Sequence, residues 1–111
     1  VAQRLSGFGC RILGIDPAVD MPAGVTGASL DTALATSDFI ILCAPLTPGS
    51  RHQLEADALA RMKPGALLVN VGRGSVVDER AVADALETGA LGGYAADVFE
   101  MEDWALPDRP K

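Results

Sequence analysis

Short, continuous apolar runs punctuate the chain, and stretches with helical spacing separate them. Val1-Ala2-Gln3-Arg4-Leu5 reads as helix, with Gly7 as its stop. Arg11-Ile12-Leu13-Gly14-Ile15-Asp16 reads as a strand that ends in an acid before Pro17. Residues 17–28 are rich in Pro, Gly and Ala and read as loop. Ser29 is placed to cap a short helix through about Thr36. Asp38-Phe39-Ile40-Ile41-Leu42-Cys43 does not alternate, which predicts a strand buried on both faces. Pro45, Pro48 and Gly49 break the chain after it. Helical spacing returns over residues 55–62 and closes at Lys63-Pro64-Gly65. Ala66-Leu67-Leu68-Val69-Asn70-Val71 predicts another buried strand. Asp78 caps a helix over residues 79–88 that Gly89 ends, and Tyr94-Ala95-Ala96-Asp97-Val98 gives a last strand.

Unbroken apolar strands alternating with amphipathic helices predict an α/β fold, a parallel sheet with helices on both faces. Ligands of such sheets bind beyond the C-terminal ends of the strands. Those ends carry Asp16, then Cys43-Ala44-Pro45, then Val71-Gly72-Arg73-Gly74, then Asp97 and an acidic stretch. No capping residue precedes the first helix, and Leu106-Pro107-Asp108-Arg109-Pro110-Lys111 reads as a loop with no element after it. An internal piece of a longer protein is therefore expected.

Composition narrows the classes. The 111 residues are 49% apolar and 22% charged, which argues against disorder and allows one domain. No apolar run is long enough to span a bilayer, and no basic segment leads into an apolar one as in a secretory signal, so a cytoplasmic location is expected. Nine Lys and Arg against fifteen Asp and Glu leave a formal charge of −6. With no basic stripe, neither nucleic acid nor a membrane is an expected partner, and any bound anion needs a local cationic site. Cys10 and Cys43 lie far apart without metal-ligand spacing, and Cys43, within an apolar run, reads as a buried reduced thiol.

Several residues carry candidate chemistry. Gly7-Phe8-Gly9 looks like the start of a dinucleotide fingerprint but precedes a strand, where the fingerprint must follow one, so it reads as a helix-to-strand turn. Gly72-Arg73-Gly74-Ser75 follows a strand and precedes a helix, with Asp97 downstream, which mimics a Rossmann unit, yet position 77 is Val and a long Arg occupies the loop. Either the glycines let the backbone aim Arg73 into a cleft, where a guanidinium fork suits a carboxylate or a phosphorus oxyanion, or Arg73 is a solvated turn residue. Asp16 is a ribose-hydroxyl acceptor or an Asx-type turn residue before Pro17. Glu100, Glu102, Asp103 and Asp108 read as a solvated loop or as carboxylates able to orient a histidine. The single histidine, His52, reads as a surface residue or a base.

Val69-Asn70-Val71-Gly72-Arg73-Gly74-Ser75-Val76-Val77-Asp78 closely resembles the signature loop of the D-2-hydroxyacid dehydrogenase family. Ser37-Asp38-Phe39-Ile40-Ile41-Leu42-Cys43-Ala44-Pro45-Leu46-Thr47 and Met62-Lys63-Pro64-Gly65-Ala66-Leu67-Leu68-Val69-Asn70 match it too, so the likeness covers essentially the whole chain. A further stretch, from Gly92 to Ala105 and on to Asp108-Arg109-Pro110, narrows the resemblance to the phosphite-oxidising branch. It has Ala96 and Asp103 in place of the commoner Leu and Pro, whereas Val71-Gly72 follows the general family.

The resemblance implies a partial Rossmann-type domain that binds NAD, with a small anionic substrate, phosphite or a 2-hydroxy acid, held between it and a second domain. It implies that Arg73 holds the substrate anion and that Glu102 pairs with the catalytic histidine. Asp97 then lies near the nicotinamide, Asp16 takes the adenosine ribose, and Cys43, Ala44, Pro45, Val71 and Gly72 line the cofactor. His52 does not match the catalytic histidine, which is expected past Lys111. The glycine fingerprint is expected before Val1, and the substrate domain outside the chain. The full-length parent is expected to be a homodimer that oxidises phosphite to phosphate. Alternatives are a D-2-hydroxyacid dehydrogenase and a non-catalytic, NAD-sensing corepressor-like relative.

Overall fold

Ser29 opens the first well-defined helix as expected. Its Oγ accepts from the Thr32 amide at 3.2 Å, and helix α2 follows over Leu30–Thr36. The computed structural model describes residues 1–15 and 20–101. It divides into two units, Val1–Ala33 and a second beginning at Leu34.

In the first unit, helix α1 (Ala2–Leu5) runs into a 3₁₀ turn over Ser6–Phe8. Gly9, not Gly7, ends it in the left-handed conformation, at φ 70°. The tightened 3₁₀ turn moves the stop two residues on. Strand β1 (Ile12–Gly14) pairs in parallel with β2 (Val25–Gly27), in register Ile12 to Val25 and Gly14 to Gly27. The expected loop over residues 17–28 thus contains a strand. A Cβ on Gly14 would meet the Met21 thioether and a Val25 methyl, so a larger residue there would have to displace those side chains.

The second unit is a parallel three-stranded sheet with β4 (Leu67–Asn70) between β3 (Phe39–Leu42) and β5 (Gly93–Ala96). Helix α3 (Ala56–Arg61) links β3 to β4, and α4 (Glu79–Thr88) links β4 to β5. Gly65, at φ 78°, makes the turn into β4. Asp78 caps α4 by accepting from the Arg80 and Ala81 amides, and Gly89, at φ 81°, closes it. A 3₁₀ turn over Gly74–Val76 precedes α4.

The core of this unit gathers Leu34, Leu54, Leu59, Leu68, Val76 and Val77, each almost wholly buried. Every such side chain contributes on the order of 1.5–3 kcal/mol. Burial of the strands is less even than the apolar runs imply. Leu68 and Asn70 of central β4 are sealed, whereas Phe39 of β3 is 64% exposed. β3 is an edge of its sheet and lacks the neighbour on one side that central β4 has. The parallel α/β class stands, and β3 is half-buried rather than enclosed.

Candidate active site at the strand ends

Because β3, β4 and β5 are parallel, their C-terminal ends open along one edge. Cys43, Ala44 and Pro45 leave β3, Val71, Gly72 and Arg73 leave β4, and Asp97 leaves β5. Asp16 and Glu102 lie outside the described residues. Cys43, Ala44, Pro45, Val71, Arg73 and Asp97 are all exposed. This corrects the expectation for Cys43: the strand stops at Leu42, and the thiol stands free and exposed one residue beyond it.

Asn70 organises this edge. It is fully buried at the end of β4. Its Oδ1 accepts from the Gly72 amide at 3.1 Å, and its Nδ2 donates to the Arg73 carbonyl at 3.0 Å. Its own carbonyl accepts from the Asp97 amide at 3.1 Å, which ties the exit of β5 to the exit of β4. One amide side chain therefore satisfies the turn that carries Arg73 from both sides. Within its apolar run, Asn70 is marked only as a strand residue. Its signal was a polar amide closing an apolar strand two residues before a glycine.

Both glycines of the loop are there for space rather than for unusual φ. A Cβ on Gly72 would lie 2.7 Å from the Ala44 carbonyl oxygen, a backbone atom that cannot swing aside. A Cβ on Gly74 would overlap the backbone of Phe99 and Glu100. Gly72 thus brings the β4 exit against the β3 exit, and Gly74 seats the following turn against the segment after β5. Arg73 between them is extended, at φ −129° and ψ 144°, and exposed.

Two more segments brace the edge. Ser50, buried, accepts from the Thr47 amide at 2.8 Å and donates to the Pro45 carbonyl at 2.9 Å, which fixes the loop after Pro45. His52 then donates its amide to the Ser75 carbonyl at 2.7 Å, and Leu54 donates to the Val76 carbonyl at 3.1 Å. The His52 imidazole is half-buried and its Nε2 contacts Glu100 Oε1, so His52 is neither a surface residue nor placed among the strand-end set. Glu100 is largely buried rather than solvated. Its other oxygen accepts from the Glu79 amide at 3.2 Å, and Glu79 Oε2 accepts from the Glu100 amide at 2.9 Å.

The Tyr94 hydroxyl is buried without a well-formed hydrogen bond. Burial pushes its pKa up, the Asn70 amide pulls it down, and the nearby Glu79 and Glu100 carboxylates push it up again. A shallow cavity of about 360 Å³ between α3 and α4, lined by Ala56, Ala60, Ala81 and Ala85 among others, holds none of the strand-end residues. Among the described residues, no helix is long and apolar enough to cross a membrane.

Residues 1–110 match the family model of the D-isomer specific 2-hydroxyacid dehydrogenase NAD-binding domain. The chain is 46% identical over 103 residues to 2-hydroxyacid dehydrogenase A of Aspergillus oryzae, which covers 91% of this chain and 30% of that protein. It superposes on D-lactate dehydrogenase from Treponema pallidum with a TM-score of 0.88 at 38% identity, over 97% of this chain and 33% of that one. It superposes on the NAD complex of an NAD-dependent formate dehydrogenase from Staphylococcus aureus with a TM-score of 0.87 at 35% identity, over 98% and 33%. The chain spans about a third of the length of these relatives. With its Rossmann-type parallel α/β fold, it belongs to the D-isomer specific 2-hydroxyacid dehydrogenase family, as an NAD-binding domain.

Proposed function

We propose that this chain is the cofactor-binding part of an enzyme that moves a hydride between NAD and a small 2-hydroxy acid, with Arg73 holding the substrate carboxylate. The carrying observation is the Asn70-braced turn, which presents an exposed guanidinium at the strand ends between two close backbone approaches. A guanidinium fork holds a planar carboxylate through two parallel hydrogen bonds.

The residues at this edge fit NAD. Val71, 47% exposed at the exit of β4, and the exposed Ala44 and Pro45 at the exit of the neighbouring β3 are small and apolar, which suits a flat heteroaromatic ring. Cys43 and Gly72 add no bulky side chain there. When bound, NAD supplies the carbon that accepts or gives the hydride. Asp97, at the end of β5, then stands near the nicotinamide. Asp16 takes the ribose hydroxyls, and its charge disfavours the 2′-phosphate of NADP. Glu102 tunes the histidine that handles the substrate proton. That histidine, the glycine-rich phosphate loop and the substrate domain belong to a longer parent, of which this chain is about a third by comparison with its relatives.

Phosphite is the second reading, favoured by Ala96 at the end of β5 and by Glu102-Asp103-Trp104 in the segment after it. Arg73 alone does not choose, because its fork accepts a carboxylate or a phosphorus oxyanion equally well. The family membership favours the hydroxy acid. The test is NADH formation by the full-length parent from lactate, glycerate, 3-phosphoglycerate and phosphite at matched concentration, with phosphate measured as co-product. Fastest turnover of a hydroxy acid is the expected result. Phosphite turnover that exceeds all three and yields phosphate would replace it with the second reading, and binding of NAD without turnover of any would favour a sensing role.

A further inference from the structure

His52 holds φ at 51°, the only non-glycine residue with positive φ among those described. A residue with a Cβ keeps that backbone only where its surroundings hold it. Here two contacts do. Its amide donates to the Ser75 carbonyl within the 3₁₀ turn, and its imidazole meets Glu100. A carboxylate oxygen accepts hydrogen bonds, so the contact calls for the tautomer with hydrogen on Nε2.

Glu100 is bound on every side. One oxygen takes His52, the other takes the Glu79 amide, and its own amide donates to Glu79 Oε2. Its backbone also lies against Gly74, close enough that no side chain fits between them. The turn after Arg73 is thus gripped from two sides, by residues 52–54 along one flank and by Phe99–Glu100 on the other. The His52–Glu100 contact joins those two sides to each other.

We propose that His52 and Glu100 are a positioning pair for Arg73. Their contact closes a clamp around residues 74–76, so that the guanidinium is offered in one orientation before substrate arrives. Neither residue touches the substrate. The clamp rests on the reading of Arg73 as the anion holder, and Arg73→Lys tests that reading separately.

Three variants of the full-length parent test the clamp. His52→Asn keeps a side chain suited to left-handed backbone but too short to reach Glu100. Glu100→Gln keeps the shape and weakens the contact by removing the charge. His52→Gln restores a donor of similar reach. Hydrogen exchange of the Val76 and Val77 amides, which bond the Arg73 and Gly74 carbonyls, is read without substrate, and KM and kcat are read with the hydroxy acid. The clamp predicts exchange at least tenfold faster in His52→Asn and Glu100→Gln, with unaltered exchange in α2. It also predicts a KM for the acid raised about tenfold, kcat changed less than twofold, and recovery of both exchange and KM in His52→Gln. Unaltered exchange overturns it. Faster exchange with unaltered KM also overturns it, since the pair then serves the fold and not Arg73.

Discussion

Replacing Asn70 by Ala removes a fully buried amide, strips the Gly72 amide of its side-chain partner and leaves the Arg73 carbonyl only the Val76 amide. Each buried group left unpaired costs on the order of 1–3 kcal/mol. Asn70→Ala is therefore expected to lower the urea midpoint of the chain clearly, with little change in the slope of the transition. An unaltered midpoint would show that water replaces the amide. Arg73→Lys acts differently, because the Arg73 side chain is exposed. It keeps the charge and loses the fork, so stability is expected to hold while kcat/KM of the parent falls more than tenfold, about 1.5–3 kcal/mol of charged hydrogen bonding. Substrate kinetics unaltered by this change would return Arg73 to a turn residue. The residues that project from the strand ends are legible in the sequence, since their loop lies between a strand and a helix. Those that act by being buried are not. Asn70 looked like one more strand residue, and the His52–Glu100 contact spans 48 positions, which no local pattern reveals.

Helix α4 was legible almost to the residue because both of its ends are written in local chemistry. Asp78 caps the first turn, Gly89 takes the left-handed stop, and no tertiary contact is needed to place either. Asp78→Ala is expected to destabilise the chain by about 0.5–2 kcal/mol, read as a lower thermal midpoint, with Asp78→Ser recovering most of the loss. Equal midpoints for Asp78→Ala and the parent chain would mean that Glu100, which accepts from the Glu79 amide, caps the helix without Asp78. Elements whose formation depends on a distant partner were harder to read. β2 holds three residues, Val25–Gly27, in a stretch dominated by loop formers, and it exists because β1 offers a parallel edge to pair with. β3 carries the apolar run of an enclosed strand, yet its place at the edge of the sheet leaves Phe39 in water. An apolar run shows that a strand forms, and strand order decides how deeply it is buried.

At the scale of the whole molecule, the titration of Tyr94 bears on global stability. Tyr94 is the single tyrosine of the chain, and burial holds its hydroxyl pKa above the ordinary 10.0, with Glu79 and Glu100 pushing the same way against Asn70. The folded state therefore keeps this proton at a pH where the unfolded chain has begun to lose it. Stability from this source is complete below about pH 10 and is lost as pH rises through that value toward the folded pKa. Tyr94→Phe removes the titrating group and a buried hydroxyl without a well-formed hydrogen bond. At neutral pH the variant is expected to match the parent chain within about 1 kcal/mol. Above about pH 10 its urea midpoint is expected to fall less steeply than that of the parent chain. Every other side chain is common to both proteins, so the difference between the two curves isolates Tyr94. Phenolate absorbance of the folded chain gives the second reading, since no other tyrosine contributes. It should rise only at a pH above that of the urea-unfolded chain. Coincident phenolate curves for folded and unfolded chains, with parallel loss of stability in both proteins, would mean that water reaches the hydroxyl and that Asn70 closes the site less tightly than its buried position implies.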